Sequence, residues 1–128
     1  MGARVLIVDD EKRLAQSLGQ TLQLDYPGCQ VDTAYSGEEA LSAMANGTYD
    51  LIIADVRMPG VSGLELIRGV RYLDAKVPIV VMTGYGSASL RQEAATLGVN
   101  HYVDKPFDAD DLISMVGELL PGQGGADA

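Results

Sequence analysis

The fold of this chain is decided by the stretch LIIADVRMPG at residues 51–60. Four apolar residues end in Asp55, and the turn-forming residues Met58, Pro59 and Gly60 follow within a few positions. A short apolar run bounded by turn residues is typical of a strand buried on both faces, as in a parallel sheet. Asp55 is then expected where the strand leaves the core. Because aspartate is also a common loop residue, its meaning depends on the rest of the chain.

Four more short apolar segments lie on either side of this stretch, and a helical pattern follows each strand. After the first strand, Leu14, Leu18 and Leu22 recur every four residues, which is typical of one helix face. The predicted strands cover residues 4–8, 31–35, 51–55, 78–83 and 101–103. The helices after them are predicted to end near Asp25, at Gly47, near Leu73, near Leu97 and before Pro121. Strands that alternate with helices predict a parallel sheet with helices on both faces.

Two of the predicted helices begin with a capping box. Ser36 and Glu39 stand three residues apart before the second helix, and Ser62 and Glu65 repeat this spacing before the third. A serine at the N-cap and a glutamate three residues later satisfy backbone N–H groups that the first helical turn leaves free. The fourth helix, from about Ser87, has a weaker amphipathic pattern.

Length, composition and charge limit the classes of protein to which this chain can belong. Its 128 residues suffice for one domain with a core, and a hydrophobic content of 47% indicates a folded globule. The formal net charge of -9 argues against non-specific binding to nucleic acid or to an anionic membrane. Cys29 is the only cysteine, and no apolar run approaches the roughly 20 residues of a membrane helix. We therefore expect a soluble cytoplasmic domain.

Polar residues that could bind a ligand or take part in a reaction stand at the ends of four of the five predicted strands. They are Asp9 and Asp10 after the first strand, Asp55 at the end of the third, Thr83 at the end of the fourth and Lys105 after the fifth. In a parallel sheet these positions lie along one carboxyl edge, where open α/β sheets bind ligands at the point of strand-order reversal. The sequence therefore predicts a single site that joins these five residues.

The predicted chemistry of this edge is phosphoryl transfer. Three carboxylates within about 4 Å would repel by several kcal/mol per pair at an effective dielectric near 20, so they require protons or a cation. An all-oxygen ligand set suits a hard ion, and an incomplete cage that keeps waters suits Mg²⁺. A metal and Lys105 would balance charge on the transferring oxygens while Asp55 acts as the nucleophile.

These motifs resemble the receiver domain of bacterial two-component response regulators. The matching residues are VDDE at 8–11, Asp55 with Met58-Pro59-Gly60 and Gly63, Met82-Thr83-Gly84, and Lys105-Pro106. The resemblance covers the chain to about Leu120 and implies a flavodoxin-like (βα)5 three-layer fold with a parallel sheet in the order 2-1-3-4-5. The expected organisation is a receiver domain over residues 1–121, with 122–128 as a flexible tail or the start of a linker.

The resemblance implies a role for each acidic residue. Asp55 is expected to accept a phosphoryl group from a sensor histidine kinase or a histidine phosphotransfer protein. Asp10 and Asp55 are expected to bind Mg²⁺ directly, together with the backbone carbonyl of Arg57, while Asp9 assists through water. A separate hypothesis is that the Arg57 side chain tunes the lifetime of the phosphoryl group; a solvent-facing arginine is the alternative.

The resemblance also implies a switch. Lys105 is expected to pair with the phosphoryl oxygens and Thr83 to hydrogen-bond one of them. Tyr102 matches the aromatic residue that turns inward when Thr83 moves. A cis peptide bond is expected between Lys105 and Pro106. The fourth helix, fifth strand and fifth helix would then change arrangement and control an output domain or partner, and the resemblance also allows a homodimer formed on phosphorylation.

Two other classes of function stand beside the phosphorylation switch. One is a phosphate-independent docking module, which the intact acidic set disfavours. The other is a Mg²⁺-dependent phosphohydrolase with an aspartyl-phosphate intermediate, which the lack of a cap domain or pocket insert disfavours. The chain is thus expected not to be an enzyme beyond its own phosphotransfer and autodephosphorylation. The segments DVRMPG and MTGYG are similar to those of receivers of the nitrogen-regulation class, which often precede an ATPase and a DNA-binding domain. Transcription regulation is therefore the expected setting, and a stand-alone receiver is equally compatible with the sequence.

Overall fold

Strands and helices alternate along the described part of the chain in the computed structural model, which covers residues 2–55, 63–84 and 88–120. The strands are β1 (Arg4–Val8), β2 (Gln30–Ala34), β3 (Leu51–Asp55), β4 (Ile79–Thr83) and β5 (His101–Asp104). The helices are α1 (Lys12–Asp25), α2 (Gly37–Asn46), α3 (Gly63–Leu73), α4 (Ala88–Thr96) and α5 (Ala109–Leu119). The boundaries differ from the predicted ones by a residue or two, as expected at frayed ends.

The strands form one parallel sheet in the order β2-β1-β3-β4-β5, which confirms the predicted topology. The strand order reverses between β1 and β3, where Val8 pairs with Ala54. At the other side of β3, Asp55 pairs with Met82. The carboxyl ends of β1, β3 and β4 therefore lie level with one another and form the crevice in which such sheets bind ligands.

Helices cover both faces of the sheet because its central strands are apolar on both sides. Side chains alternate between the faces along a strand, so Ile52 and Ala54 of β3 face one core and Leu51 and Ile53 face the other. The first core is completed by residues of α2 and α3, such as Met44 and Leu66. The second is completed by α1 and α5, through residues that include Ala15, Leu18, Leu22, Leu112 and Val116.

The predicted N-cap of α2 is present, with one difference. The Ser36 hydroxyl accepts a hydrogen bond from the Glu39 amide at 3.1 Å, as predicted. The Glu39 carboxylate accepts from the amide of Tyr35 at 3.0 Å, one residue before the cap. At α5, Asp108 caps the helix by accepting from the Asp110 amide at 2.9 Å. Ser62, predicted to cap α3, and Ser87, predicted to start α4, lie outside the described residues.

Of the helices described, α1 is the longest, with 14 residues, and none is both long and apolar enough to cross a lipid bilayer.

Candidate functional site

The sheet brings the predicted site residues to one edge. Asp9 follows β1, and its amide donates to the Ala34 carbonyl at 3.0 Å, which extends the pairing of β1 with β2. Lys105 follows β5, and its amide donates to the Thr83 carbonyl at 2.7 Å, which extends the pairing of β4 with β5. Asp55 ends β3 between these two ladders. Backbone hydrogen bonds thus continue to the residues that carry the candidate chemistry, and hold them in place.

The Lys105 ammonium group is the centre of the site. Its Nζ lies 3.0 Å from Oδ2 of Asp55 and 3.1 Å from Oδ2 of Asp9. The Glu11 carboxylate approaches Nζ at 3.8 Å from the solvent side. Asp9 is fully buried and Asp55 is 5% exposed, so both contacts with the ammonium group are shielded from water.

Asp9, Asp10 and Asp55 form a cluster that could hold a metal ion. Each contributes one carboxylate oxygen, and these oxygens lie within 4.8 Å of one another. Asp10 is exposed, so the cluster opens to solvent on its side. Three carboxylates facing one lysine leave a net negative charge, and an all-oxygen set of this kind fits a hard divalent cation that keeps some of its waters.

Burial and charge shift the pKa values in this site in defined directions. Burial raises the pKa of the Asp9 carboxyl, although the Glu11 amide and the Lys105 ammonium group act in the opposite direction. Burial acts to lower the pKa of Lys105, but hydrogen bonds from its ammonium group to Asp55 and Asp9 outweigh burial, so the pKa of Lys105 rises. Lys105 therefore stays a cation, and one lysine does not offset the cost of burying the Asp9 charge.

Thr83 and Tyr102, the two predicted switch residues besides Lys105, have different surroundings. Thr83 is fully buried at the end of β4. Tyr102 lies three residues before Lys105 on β5, where its ring packs against the core on the α3 side. The Tyr102 hydroxyl is buried and has no hydrogen-bond partner among the residues the structure describes. The peptide bond between Lys105 and Pro106 is cis, as expected.

Two contacts at the site were not predicted from the sequence, and one predicted site residue lies outside the described part of the chain. Glu11 approaches Lys105, which its place directly after Asp10 could have suggested. Arg91 of α4 lies over the Tyr102 ring, and the weak pattern of α4 carried no signal for this contact. Arg57, with its predicted carbonyl ligand and its side-chain role, lies outside the described residues, as does the Met58-Pro59-Gly60 turn.

A pocket of about 440 Å³ adjoins the lysine. It is lined by Leu14, Gly84, Lys105, Pro106 and Phe107. The cis Lys105–Pro106 segment forms one wall, so Lys105 borders both this mostly apolar pocket and the carboxylate cluster.

A doubly wound parallel sheet with carboxylates and a lysine at its switch point defines the chain as a flavodoxin-like domain with a charged site at that point. The family described as "Response regulator receiver domain" matches residues 5–117. The chain belongs to this family and is a receiver domain of two-component signal transduction.

Several curated relatives are transcriptional regulators that are longer than this chain. The uncharacterized transcriptional regulatory protein YkoG of Bacillus subtilis is 37% identical over 94% of this chain and 52% of its own length. The C4-dicarboxylate transport transcriptional regulatory protein DctD of Pseudomonas aeruginosa is 34% identical over 91% of this chain and 25% of its own length. The chain thus spans about half or a quarter of these two relatives.

Solved structures share the fold over nearly the whole chain. The chemotaxis protein CheY4 of Vibrio cholerae superimposes with a TM-score of 0.84 at 34% identity, covering 94% of this chain and 100% of that one. The response regulator TrrA of Thermotoga maritima, solved in complex with Mg²⁺-BeF, has a TM-score of 0.79 at 38% identity and covers 92% of this chain and 99% of that one.

Proposed function

We propose that Asp55 is the phosphoacceptor of this receiver domain. The observation that carries the proposal is the Lys105 ammonium group at 3.0 Å from the Asp55 carboxylate, beside two further carboxylates. Asp9 is a poorer candidate, because it is fully buried and its two oxygens accept from the Glu11 amide and from Lys105. Asp10 is exposed and, within the described part of the chain, has no contact with Lys105.

In the proposed reaction an Asp55 carboxylate oxygen attacks the phosphorus of a phosphohistidine on a sensor kinase or a histidine phosphotransfer protein. The bond from phosphorus to the histidine nitrogen breaks, and a mixed carboxylic–phosphoric anhydride forms on Asp55. The Lys105 ammonium group, held at the same edge, is placed to balance the charge on the transferring oxygens. We propose that the Thr83 hydroxyl binds one of these oxygens, because Thr83 ends the neighbouring strand.

We propose Mg²⁺ as the cofactor, held by Asp10 and Asp55 with Asp9 behind them. The fit rests on the donor set, which is all oxygen, carries three negative charges and opens to solvent at Asp10. When bound, the ion would neutralise charge on the phosphoryl oxygens. The Arg57 carbonyl as a further ligand, and the Arg57 side chain as a determinant of phosphoryl lifetime, stay predictions.

The wider setting is also proposed. A single receiver domain over residues 1–121 would act in the cytoplasm and pass its signal to an output domain or partner through α4, β5 and α5, with homodimerisation as an alternative readout. Because relatives such as YkoG and DctD are transcriptional regulators, transcription is the proposed output, without direct nucleic-acid or membrane contact by this acidic segment. Membership of the nitrogen-regulation class stays a prediction. We propose no enzymatic turnover beyond phosphotransfer and autodephosphorylation.

Treatment with acetyl phosphate tests this proposal. We expect the protein to gain the mass of one phosphoryl group when Mg²⁺ is present and to gain none after chelation. Asp55→Asn should abolish the gain, whereas Asp25→Asn, the same charge change at the exposed end of α1, should leave it intact. An unmodified wild type would favour a phosphate-independent docking module, and modification of the Asp55→Asn protein would move the acceptor to another carboxylate.

A further inference from the structure

Arg91 on the outer side of α4 covers an aromatic residue of the neighbouring strand. The carbon of its guanidinium group lies 4.4 Å from the centre of the Tyr102 ring. The same guanidinium group donates to the Asp104 carboxylate, with Nη2 at 3.1 Å from Oδ2. The arginine thus contacts two β5 residues on either side of Val103 and links α4 to that strand.

The residue under the guanidinium group is in an unusual state. The Tyr102 ring is partly buried and packs against the same core as the α4 residue Leu90. Its hydroxyl is buried without a hydrogen-bond partner in the described ranges, and burial raises the pKa of that hydroxyl. A buried hydroxyl without a partner is less favourable than one that reaches water, so packing or a covering group must keep this side chain inside.

Arg91 has the geometry of such a covering group. A guanidinium group is planar and stacks on an aromatic face while its N–H groups donate, in the plane of the guanidinium itself, to a carboxylate. Asp104 is fixed two residues after Tyr102, so the ion pair holds the guanidinium group over the ring. The side chains of Arg91 and Asp104 are both more than half exposed, so the guanidinium group lies between the Tyr102 ring and solvent.

We propose that Arg91 is a positioning residue that closes over Tyr102 and keeps the ring and its hydroxyl buried before any phosphoryl group reaches Asp55. The resting receiver then already holds its aromatic residue inward. How often Tyr102 turns outward depends on a contact between α4 and β5 at the surface.

This position connects to the candidate site through the backbone. Asp104 immediately precedes Lys105, whose amide donates to the Thr83 carbonyl and whose ammonium group contacts Asp55. If a ligand on Asp55 binds better when Tyr102 is inward, loss of the cover weakens the binding of that ligand in proportion to the fall in the population of the inward state. This second consequence rests on the proposed function, whereas the cover itself does not.

The cover can be tested on the full chain without any ligand. The protein is labelled with 3-fluorotyrosine, and the Tyr102 signal is assigned from a Tyr102→Phe variant. The change in its fluorine chemical shift between H₂O and D₂O then reports the contact of the ring with solvent. We expect Arg91→Met to increase this solvent shift for Tyr102 and for none of the other tyrosines. Arg91→Lys keeps the positive charge and should retain part of the protection, and a lysine variant no better than the methionine variant would contradict a role for the cation.

Arg68→Met is the matched control. Arg68 pairs with Glu93 of α4 at 3.5 Å, and both side chains are about as exposed as those of the Arg91 pair, but this ion pair joins α4 to α3 and not to β5. Its loss removes the same charge and one α4 contact, so the Tyr102 signal should stay as in wild type. An unchanged signal in Arg91→Met, or an equal change in Arg68→Met, would overturn the proposal.

Beryllofluoride binding in the presence of Mg²⁺ tests the second consequence. We expect Arg91→Met to bind beryllofluoride more weakly than wild type, by at most about two- to five-fold, which is the full range for one exposed cation–π contact. The difference should disappear in a Tyr102→Leu background, where the aromatic face is absent. A wild-type protein that binds no beryllofluoride would contradict the proposed function. It would not affect the fluorine NMR test of the Arg91 cover, so failure of one proposal is distinguishable from failure of the other. Equal binding by wild type and Arg91→Met would refute the coupling.

Discussion

At the residue scale, three carboxylates and one ammonium group set the chemistry of the carboxyl edge. Two unit charges about 4 Å apart interact by roughly 4 kcal/mol at an effective dielectric near 20, so Asp9, Asp10 and Asp55 repel one another substantially without a cation. Lys105 reaches Asp9 and Asp55 but does not contact Asp10 in the described part of the chain. The unmatched charge is therefore on the solvent side, where a hydrated divalent cation enters most easily.

A second group of charges lies at the opposite edge of the sheet. The Tyr49 hydroxyl donates to Oδ2 of Asp32 at 2.6 Å, and Nη2 of Arg4 donates to the same oxygen at 2.8 Å. The Arg4 guanidinium group also lies 4.7 Å from the centre of the Tyr49 ring. These contacts join β1, β2 and the residues before β3 at their amino ends.

Tyr49 makes the stability of the protein depend on pH in the alkaline range. Burial, followed by the hydrogen bond to Asp32, raises the pKa of Tyr49 from its ordinary value of 10.0 to about 12. Because the pKa is raised in the folded state, its contribution is fully present below pH 10 and is lost as the pH rises through 12. We expect the stability difference between wild type and Tyr49→Phe to shrink by about 2 to 3 kcal/mol over that range, as measured by urea unfolding.

The control for this titration is Tyr72→Phe, because Tyr72 is 90% exposed. Its difference from wild type should stay constant as the pH rises. A Tyr49→Phe protein with the same pH dependence as wild type would contradict the assignment.

At the element scale, the helices are tied to the sheet and to each other by specific polar contacts. The Arg71 guanidinium group at the end of α3 donates to the carbonyls of Val77, Leu97 and Gly98 at 2.6, 2.7 and 2.9 Å. Gly98 takes a φ of 78°, which glycine adopts without strain, so the chain turns from α4 into β5 under the arginine. Arg71 therefore fixes the C-terminal end of α4, while Arg91 contacts β5 near the other end.

On the other face of the sheet, α1 and α5 approach each other closely at Gly117. The Tyr26 hydroxyl, just after α1, donates to the Ile113 carbonyl of α5 at 2.7 Å. A Cβ atom at position 117 would meet this hydroxyl well inside van der Waals distance. Glycine is otherwise unfavourable in a helix interior by about 1 kcal/mol relative to alanine, so the contact explains its presence.

Gly117→Ala should therefore destabilise the protein despite the better helix propensity of alanine. We expect a loss of about 1 to 3 kcal/mol in urea unfolding, the usual cost of overpacking. In a Tyr26→Phe background, which lacks the clashing oxygen, the same substitution should cost clearly less. Equal costs in the two backgrounds would show that the hydroxyl is not the obstacle.

At the scale of the whole molecule, the net charge of -9 and the acidic cluster link stability to cations. A cation that binds the folded site and not the unfolded chain stabilises the fold by mass action, by about 2.7 kcal/mol at a hundred-fold excess over the dissociation constant. The relief of repulsion among three carboxylates provides the driving force.

Adding Mg²⁺ at constant ionic strength should raise the midpoint of thermal unfolding of the wild type. Asp10→Asn should lose most of this gain, because the neutral amide is a weaker ligand and two of the three pairwise repulsions are already removed. Asp25→Asn changes the same charge away from the cluster and should respond like wild type. An equal response of all three proteins would assign the effect to general screening.

Much of the site could be predicted because its residues end or follow strands. Asp9, Asp55 and Thr83 end or follow buried apolar runs, Lys105 follows the partly buried β5, and a parallel sheet brings such positions to one edge. Arg91 and Tyr102 illustrate the opposite case. Their contact joins an exposed position of α4 to the strand β5 that follows it. The apolar periodicity of α4 is too weak to predict which face of this helix lies against β5.

By itself, the sequence determined the succession of strands and helices, the parallel sheet and the identity of the polar residues at its carboxyl edge. It did so because side-chain periodicity is local and each strand end carries its own residue type. Only the tertiary structure decided that Lys105 shares its ammonium group between Asp9 and Asp55, and that Arg91 closes over Tyr102. Lys105 and Asp9 are 96 residues apart in the chain, so their contact depends on the packing of the entire sheet.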